Sequence, residues 1–92
     1  MYWVYMLECA DGSLYTGWTK EIGKRLAQHN AGKGSKYVRS RLPARLVYTE
    51  SLVSKSEAMR RECTLKKLTR AEKIALIAEW KAGKADKQCG LS

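Results

Sequence analysis

The sequence predicts an α+β fold, a small three-stranded antiparallel sheet flanked by helices, in the order β-β-α-(short α)-β-α-α. Three observations carry this reading. The runs YWVYMLE (2–8) and LYTGW (14–18) are rich in aromatic and β-branched residues and flank Asp11-Gly12, the turn chemistry of an antiparallel hairpin. A third run of the same kind, RLVYTESLV, occupies 45–53. Beyond it, two capping boxes, Ser54-x-x-Glu57 and Thr69-x-x-Glu72, each open a helical pattern. Helices laid against one antiparallel sheet define the class.

Between the hairpin and the third strand, Thr19 has the chemistry to cap a helix running to about residue 30. Ile22, Leu26 and His29 share one face of it, and Arg25 stands four residues before His29. Gly32, Gly34 and Ser35 mark a loop. The short basic segment KYVRSR follows and stops before Pro43, whose ring disfavours a helical predecessor. After the third strand, EAMRRECTLKK (57–67) wound as a helix puts Ala58, Met59, Cys63, Leu65 and Leu68 on one broad arc. The last helix carries Ile74, Ile77 and Ala78 on one face, with Gly83 placed as its C-cap. The domain is thus expected over 1–82, with 83–92 a disordered tail.

Ninety-two residues suffice for one domain. No apolar run approaches the roughly 20 residues that span a bilayer, so no membrane role is expected. The start MYWVYMLECADG has neither a basic leader nor a small-residue cleavage site and reads as a strand, not a signal peptide. Three widely spaced cysteines (Cys9, Cys63, Cys89) show no ligand-like pairing and read as free thiols of a cytoplasmic protein. The net charge is +9 and unevenly placed. Residues 1–19 contain Glu8 and Asp11 but no Lys or Arg, so all eighteen basic residues lie beyond them. A basic remainder behind a neutral start points to one face turned to a polyanion, and nucleic acid is the favoured partner.

One residue conflicts with the helical arc. Glu57 is explained by its place three residues after Ser54, but Glu62 falls near the middle of the apolar face. A carboxylate rarely sits there unless something pairs with it. Two readings stand: an ion pair with Arg25, Arg61 or Lys66, or a ligand for a hard divalent cation. Mg²⁺ keeps several waters and takes substrate phosphates, so one carboxylate suffices when the substrate is a phosphodiester. Other residues complete such chemistry. Arg25 offers bidentate donors to phosphate, His29 can move a proton near neutral pH, and Tyr5 and Tyr15 lie on paired strands. Together they supply nucleophile activation, charge stabilisation and leaving-group assistance.

The hairpin WVY…YTG resembles the two half-motifs of the GIY-YIG nuclease superfamily. Residues 15–29, YTGWTKEIGKRLAQH, look like its second half-motif followed by the arginine-bearing helix, and AMRRECTLK (58–66) resembles its metal-binding helix. The stretch HNAGKGSKYVRSRLPARLVY resembles the small stand-alone bacterial members. The likeness covers about 2–80, and it implies a metal-dependent DNA endonuclease. Tyr5 and Tyr15 match the two motif tyrosines, Gly17 the closing glycine, Arg25 the phosphate-binding arginine, and His29 the histidine of the junction-cutting branch. Glu62 matches the metal ligand, for Mg²⁺ or Mn²⁺, and Tyr15 or His29 is the general base. The first half-motif departs as WVY, Thr16 replaces the central isoleucine, and Trp18 stands where repair incision subunits have lysine.

The expected activity is therefore hydrolysis of DNA phosphodiester bonds in branched, flapped or single-stranded structures during repair or recombination. DNA versus RNA stays open at this stage, as do a protein partner and the oligomeric state. Lys33, Lys36, Arg39, Arg41, Arg45 and Lys66 are the candidate nucleic-acid contacts. Tyr37 is read chiefly as packing and otherwise as a stacking platform for a base. The rival reading is a basic binding module without chemistry, or an adaptor that works with a partner, which exposed Trp18 or Trp80 would favour.

Overall fold

The computed structural model of the chain describes residues 1–88, with side chains through Ala82. Its elements are β1 (Tyr2–Glu8), β2 (Leu14–Thr19), α1 (Ile22–Asn30), α2 (Lys36–Arg39), β3 (Arg45–Leu52), α3 (Lys55–Lys66) and α4 (Arg70–Gln88). The strands form one antiparallel sheet in the order β2-β1-β3, the α+β architecture and element order that the sequence predicts.

The hairpin turns where Asp11-Gly12 places it. Gly12 has φ +84°, a left-handed conformation that costs a glycine little, and its N–H donates to the Cys9 carbonyl at 2.9 Å. The Asp11 carboxylate accepts from the Ser13 N–H at 3.0 Å, closing an Asx turn. β1 is the centre of the sheet and the most deeply buried element. Val4 and Met6 point to one side, where they join Val47, Tyr48, Ala58, Leu65 and Ile77 under α3 and α4. Tyr5 and Leu7 point to the other side, joining Cys9, Val38 and Ala44, with Ile22 and Leu26 of α1 packed against them. The period-two alternation of β1 thus serves two apolar layers, not one apolar and one wet face.

Both capping boxes open their helices. Ser54 Oγ accepts from the Glu57 N–H at 3.2 Å. Thr69 Oγ1 accepts from the Glu72 N–H at 3.2 Å while Glu72 Oε1 accepts from the Thr69 N–H at 2.8 Å, the full reciprocal pair. At the far end of α1, the Asn30 side chain clasps the Ala44 backbone, donating to its carbonyl at 3.1 Å and accepting from its N–H at 2.9 Å. This fixes α1 against the start of β3.

Three local expectations are corrected. Thr19 does not cap α1; it is the last residue of β2, paired with Trp3, and Glu21 takes the N-cap position without a side-chain cap. Thr19 Oγ1 instead accepts from the Glu21 N–H at 3.2 Å in the turn between them. The buried face of α3 is narrower than the predicted arc. Ala58 and Leu65 are buried with Arg61 and Glu62 half-buried between them, while Met59 and Cys63 are exposed. The 3–4–7 spacing of Ala58, Arg61, Glu62 and Leu65 is the stripe that meets the sheet. Finally, α4 does not stop at Gly83 but continues to Gln88, so the part of the expected tail at 84–88 is helical. Lysine, alanine and glutamine after Gly83 are good helix formers, and one internal glycine costs only about 1 kcal/mol. Residues 89–92 of that tail lie outside the described residues.

Candidate active site

On the α1 side of the sheet the pleat brings four side chains together. Tyr5 of β1 is directly opposite Gly17 of β2. A Cβ on residue 17 would stand 2.7 Å from Tyr5 Oη and 3.2 Å from Tyr15 Cε2, so the glycine is what lets the Tyr5 phenol lie across the neighbouring strand. Tyr15, two residues before Gly17, points to the same face, its ring 6.3 Å from that of Tyr5. From above, α1 lowers His29 and Arg25, one turn apart, onto these phenols.

His29 Nε2 lies 3.0 Å from Tyr5 Oη, and Arg25 Nε donates to the same oxygen at 3.4 Å. The imidazole ring sits edge-on to both tyrosines, at 5.9 Å from Tyr5 and 5.3 Å from Tyr15. His29 is fully buried, and its Nδ1 has no hydrogen-bond partner. A buried unmet N–H is costlier and rarer than a bare lone pair, so the proton belongs on Nε2, donating to Tyr5. The Tyr5 oxygen then accepts from both Arg25 and His29. Burial, with the Arg25 charge adding to it, pulls the His29 pKa below its ordinary value and keeps the ring neutral. Burial pushes the Tyr5 phenol up, opposed by the Arg25 hydrogen bond. The Arg25 guanidinium is held charged, chiefly by its bond to Tyr5 and then by the nearby Tyr15.

Gly34 is a part of this site that the sequence shows only as a loop glycine. A Cβ there would fall 2.8 Å from the ring carbons Cγ and Cε1 of His29, so the loop backbone forms the lid over the imidazole. The adjacent glycines and serine signal a turn, but nothing local reveals that the turn rests on a ring five residues earlier.

Glu62 stands on α3 and makes no hydrogen bond or ion pair with the Tyr5, Tyr15, Arg25 and His29 side chains; it is only the least of the charges that bear on the Tyr5 phenol. Its side chain is 22% exposed and pairs with Lys66 at 3.7 Å, one of the three partners its sequence position allows. Arg61 is occupied elsewhere: its Nε donates to Glu50 at 2.9 Å, and Glu50 also accepts from Tyr48 Oη at 2.8 Å. Arg25 serves the tyrosines. Among the described residues, no three His, Cys, Asp or Glu side chains converge as metal ligands. A donor set of one carboxylate fits no resident structural metal. It does fit a hard cation whose remaining ligands are water and phosphate oxygens.

The candidate nucleic-acid contacts divide into two groups, and Lys66, paired with Glu62, belongs to the second. Lys33, Lys36 and Arg39 lie at or beside α2, largely open to solvent. Arg41 and Arg45 are spent on acidic partners: Arg41 Nε donates to Asp11 at 3.1 Å, and Arg45 pairs with Glu8. Arg41 also lies 3.9 Å over the ring of Tyr37, and Tyr37 stacks on Tyr15 with ring centres 6.1 Å apart. Tyr37 is thus held between Arg41 and Tyr15 yet stays 39% exposed, so it is not packed under the strand as the sequence reading had it. Trp18 and Trp80 pack at the margin of the α3–α4 core.

A three-stranded antiparallel sheet carrying the two motif tyrosines, with an arginine-bearing helix against it and Glu62 on a later helix, is the arrangement that the GIY-YIG likeness implies. The chain belongs to this family: its catalytic-domain model matches residues 1–75. Among similar proteins is a UPF0213 protein of Halobacterium salinarum, 57% identical over 84% of this chain and 100% of its own length. Another, from Streptococcus agalactiae, is 51% identical over 86% of this chain and 90% of its own. The solution NMR structure of the UPF0213 protein BH0048 from Bacillus halodurans is 49% identical, covers 85% of this chain and 84% of its own, and superposes with a TM-score of 0.55. The protein EF2693 of E. faecalis, also solved by NMR, gives 38% identity over 88% and 86%, with a TM-score of 0.59. No helix among the described residues is long and apolar enough to cross a membrane.

Proposed function

We propose that this chain is a divalent-cation-dependent endonuclease that hydrolyses phosphodiester bonds in branched, flapped or single-stranded DNA, in the service of repair or recombination. The observation that carries the reading is the Tyr5 oxygen held by both Arg25 and His29 beside Tyr15. A structural cluster has no need to converge an arginine, a buried imidazole and two phenols on one face.

In this reading Arg25, charged and aimed over the two phenols, binds the scissile phosphate and stabilises the charge that builds on it. Tyr15, half-buried beside this cluster, takes the proton of the attacking water as it releases its own phenol proton to solvent, a relay that leaves the side chain neutral. His29 is fully buried with Nε2 engaged on Tyr5, so it acts as a positioning residue through Tyr5. Glu62 is the residue that would hold Mg²⁺ or Mn²⁺, and the cation would supply Lewis-acid neutralisation of the phosphate and leaving oxygen.

The second reading, a binding module without chemistry, is favoured by the Lys66 ammonium already neutralising Glu62. One experiment separates them. Wild type, Glu62→Ala and Arg25→Ala, purified identically, are incubated with end-labelled single strand, duplex, flap and four-way junction in EDTA, Mg²⁺ and Mn²⁺. Metal-dependent cuts that disappear in both variants are expected. Binding without cuts under every condition, unchanged or tightened by Glu62→Ala, gives the protein to the second reading.

A further inference from the structure

A concavity of about 240 Å³ lies at the outer edge of β2, lined by Leu14, Tyr15, Thr16, Tyr37, Lys66 and Lys73. Because β2 pairs only with β1, residues from both faces of the sheet meet there, joined by lysines from α3 and α4. Three features distinguish it from a mere surface dent. Tyr15 belongs both to its wall and to the cluster around His29, 5.3 Å away, so an occupant abuts the proposed scissile position. Lys73 is half-buried and has no acidic partner among the described residues, leaving an uncompensated cation in the wall. Thr16, at the floor, is only 3% exposed, and its hydroxyl has no hydrogen-bond partner. The motif position it fills is one for which valine or isoleucine would serve packing as well, and an orphaned hydroxyl there needs a reason.

We infer that this groove is a subsite for one phosphodiester of an unpaired strand, with Lys73 as its cation, Lys66 at its mouth and Thr16 below it as hydroxyl donor. The inference rests on the nucleic-acid part of the proposed function and deepens it to a substrate class. The volume admits a piece of one strand and not a duplex, whose major groove alone is about 12 Å wide. A positive channel beside aromatic walls is how single strands are followed without reading sequence. Tyr37 contributes a wall, with Arg41 over one side of its ring. Strand entry at this edge makes a flap or single strand the form that reaches Tyr15 and Arg25 together.

The test is fluorescence anisotropy in EDTA with a labelled oligothymidylate and a blunt duplex, titrated over a range of salt, for wild type, Lys73→Gln and Thr16→Val. For Lys73→Gln the slope of log affinity against log salt on the single strand is expected to fall by about 0.7, one phosphate contact. Thr16→Val is expected to bind the single strand about fivefold more weakly while melting at the same or a higher temperature, since it removes an orphaned polar atom. A threonine with only a packing role would not separate affinity from stability in that way. Both variants should bind the duplex as wild type does. Wild-type affinity and slope in both variants, or equal losses on the duplex, overturn the subsite. Cleavage with Mn²⁺ is scored apart. If wild type cuts flaps while Lys73→Gln binds the oligomer normally, the groove falls and the nuclease stands. If wild type binds through Lys73 and cuts nothing, the groove stands without the nuclease.

Discussion

At the scale of single residues, what shapes the site most is the absence of side chains at two glycines. Gly17 makes room for the Tyr5 phenol, and Gly34 makes room for the His29 ring. Gly34→Ala should therefore destabilise the protein by about 1–3 kcal/mol as the imidazole or the loop is forced aside, measured by denaturant unfolding. The chain's one histidine also makes its proton linkage traceable. The folded pKa of His29 lies below its ordinary value near 6.5, so the unfolded chain binds the proton first. Stability from a neutral His29 is thus complete above about pH 6.5 and is lost as pH falls toward the folded pKa. Melting temperatures of wild type should drop across that window more than those of His29→Gln; parallel profiles would deny the linkage. Tyr5, Tyr15, Arg25, His29 and Glu62 are candidates from their residue types, spacing and family likeness, and the fold brings the first four onto one face. Gly34 and Thr16 carry no such signal, because Gly34 packs on a ring five residues back and Thr16 shares a concavity with a lysine 57 positions on.

At the scale of elements, the sequence was most legible where a local rule is satisfied locally. Asp11-Gly12 made the turn, and the two boxes opened α3 and α4, because each involves atoms within a few residues. Thr69→Ala should cost about 1 kcal/mol by removing the donor-satisfying oxygen at the start of α4, readable as a lowered denaturation midpoint. Where elements compete, local reading misplaced boundaries. Thr19 is a good cap, but pairing with Trp3 holds it in β2 and moves the helix start to Ile22. Gly83 resembles a C-cap, yet α4 passes through it. Gly83→Ala distinguishes the two arrangements. In a helix interior it should raise stability by about 0.5–1 kcal/mol, whereas at a left-handed cap it would lower it. Circular dichroism with thermal unfolding reads both helicity and sign.

Over the whole molecule, composition points to a basic partner surface but not to which charges are available to it. Arg41 and Arg45 find their acidic partners 30 and 37 residues away, on the hairpin that carries no basic residue of its own. The neutral start of the chain is thus part of the charge arrangement, because Asp11 and Glu8 draw two arginines back onto the fold. Replacing Lys33, Lys36 and Arg39 together by glutamine should lower the salt slope of duplex binding by about 0.9 for each phosphate that these side chains neutralise. Arg45→Gln should change it less, since that guanidinium is already neutralised by Glu8. Equal changes would show that the ion pair opens when nucleic acid binds.

The position of β1 carries one more consequence. It is the only strand of this sheet bonded on both sides, and Tyr5 is paired to Gly17 on one flank and Thr49 on the other. The Tyr5 amide is therefore expected to be among the slowest of the described amides to exchange hydrogen for deuterium, whereas the outer flank of β2 has no such guard. Loss of the tyrosine environment and loss of the sheet are expected as one transition in near- and far-ultraviolet dichroism, with the slowest-exchanging amides in the strand from which Tyr5 hangs.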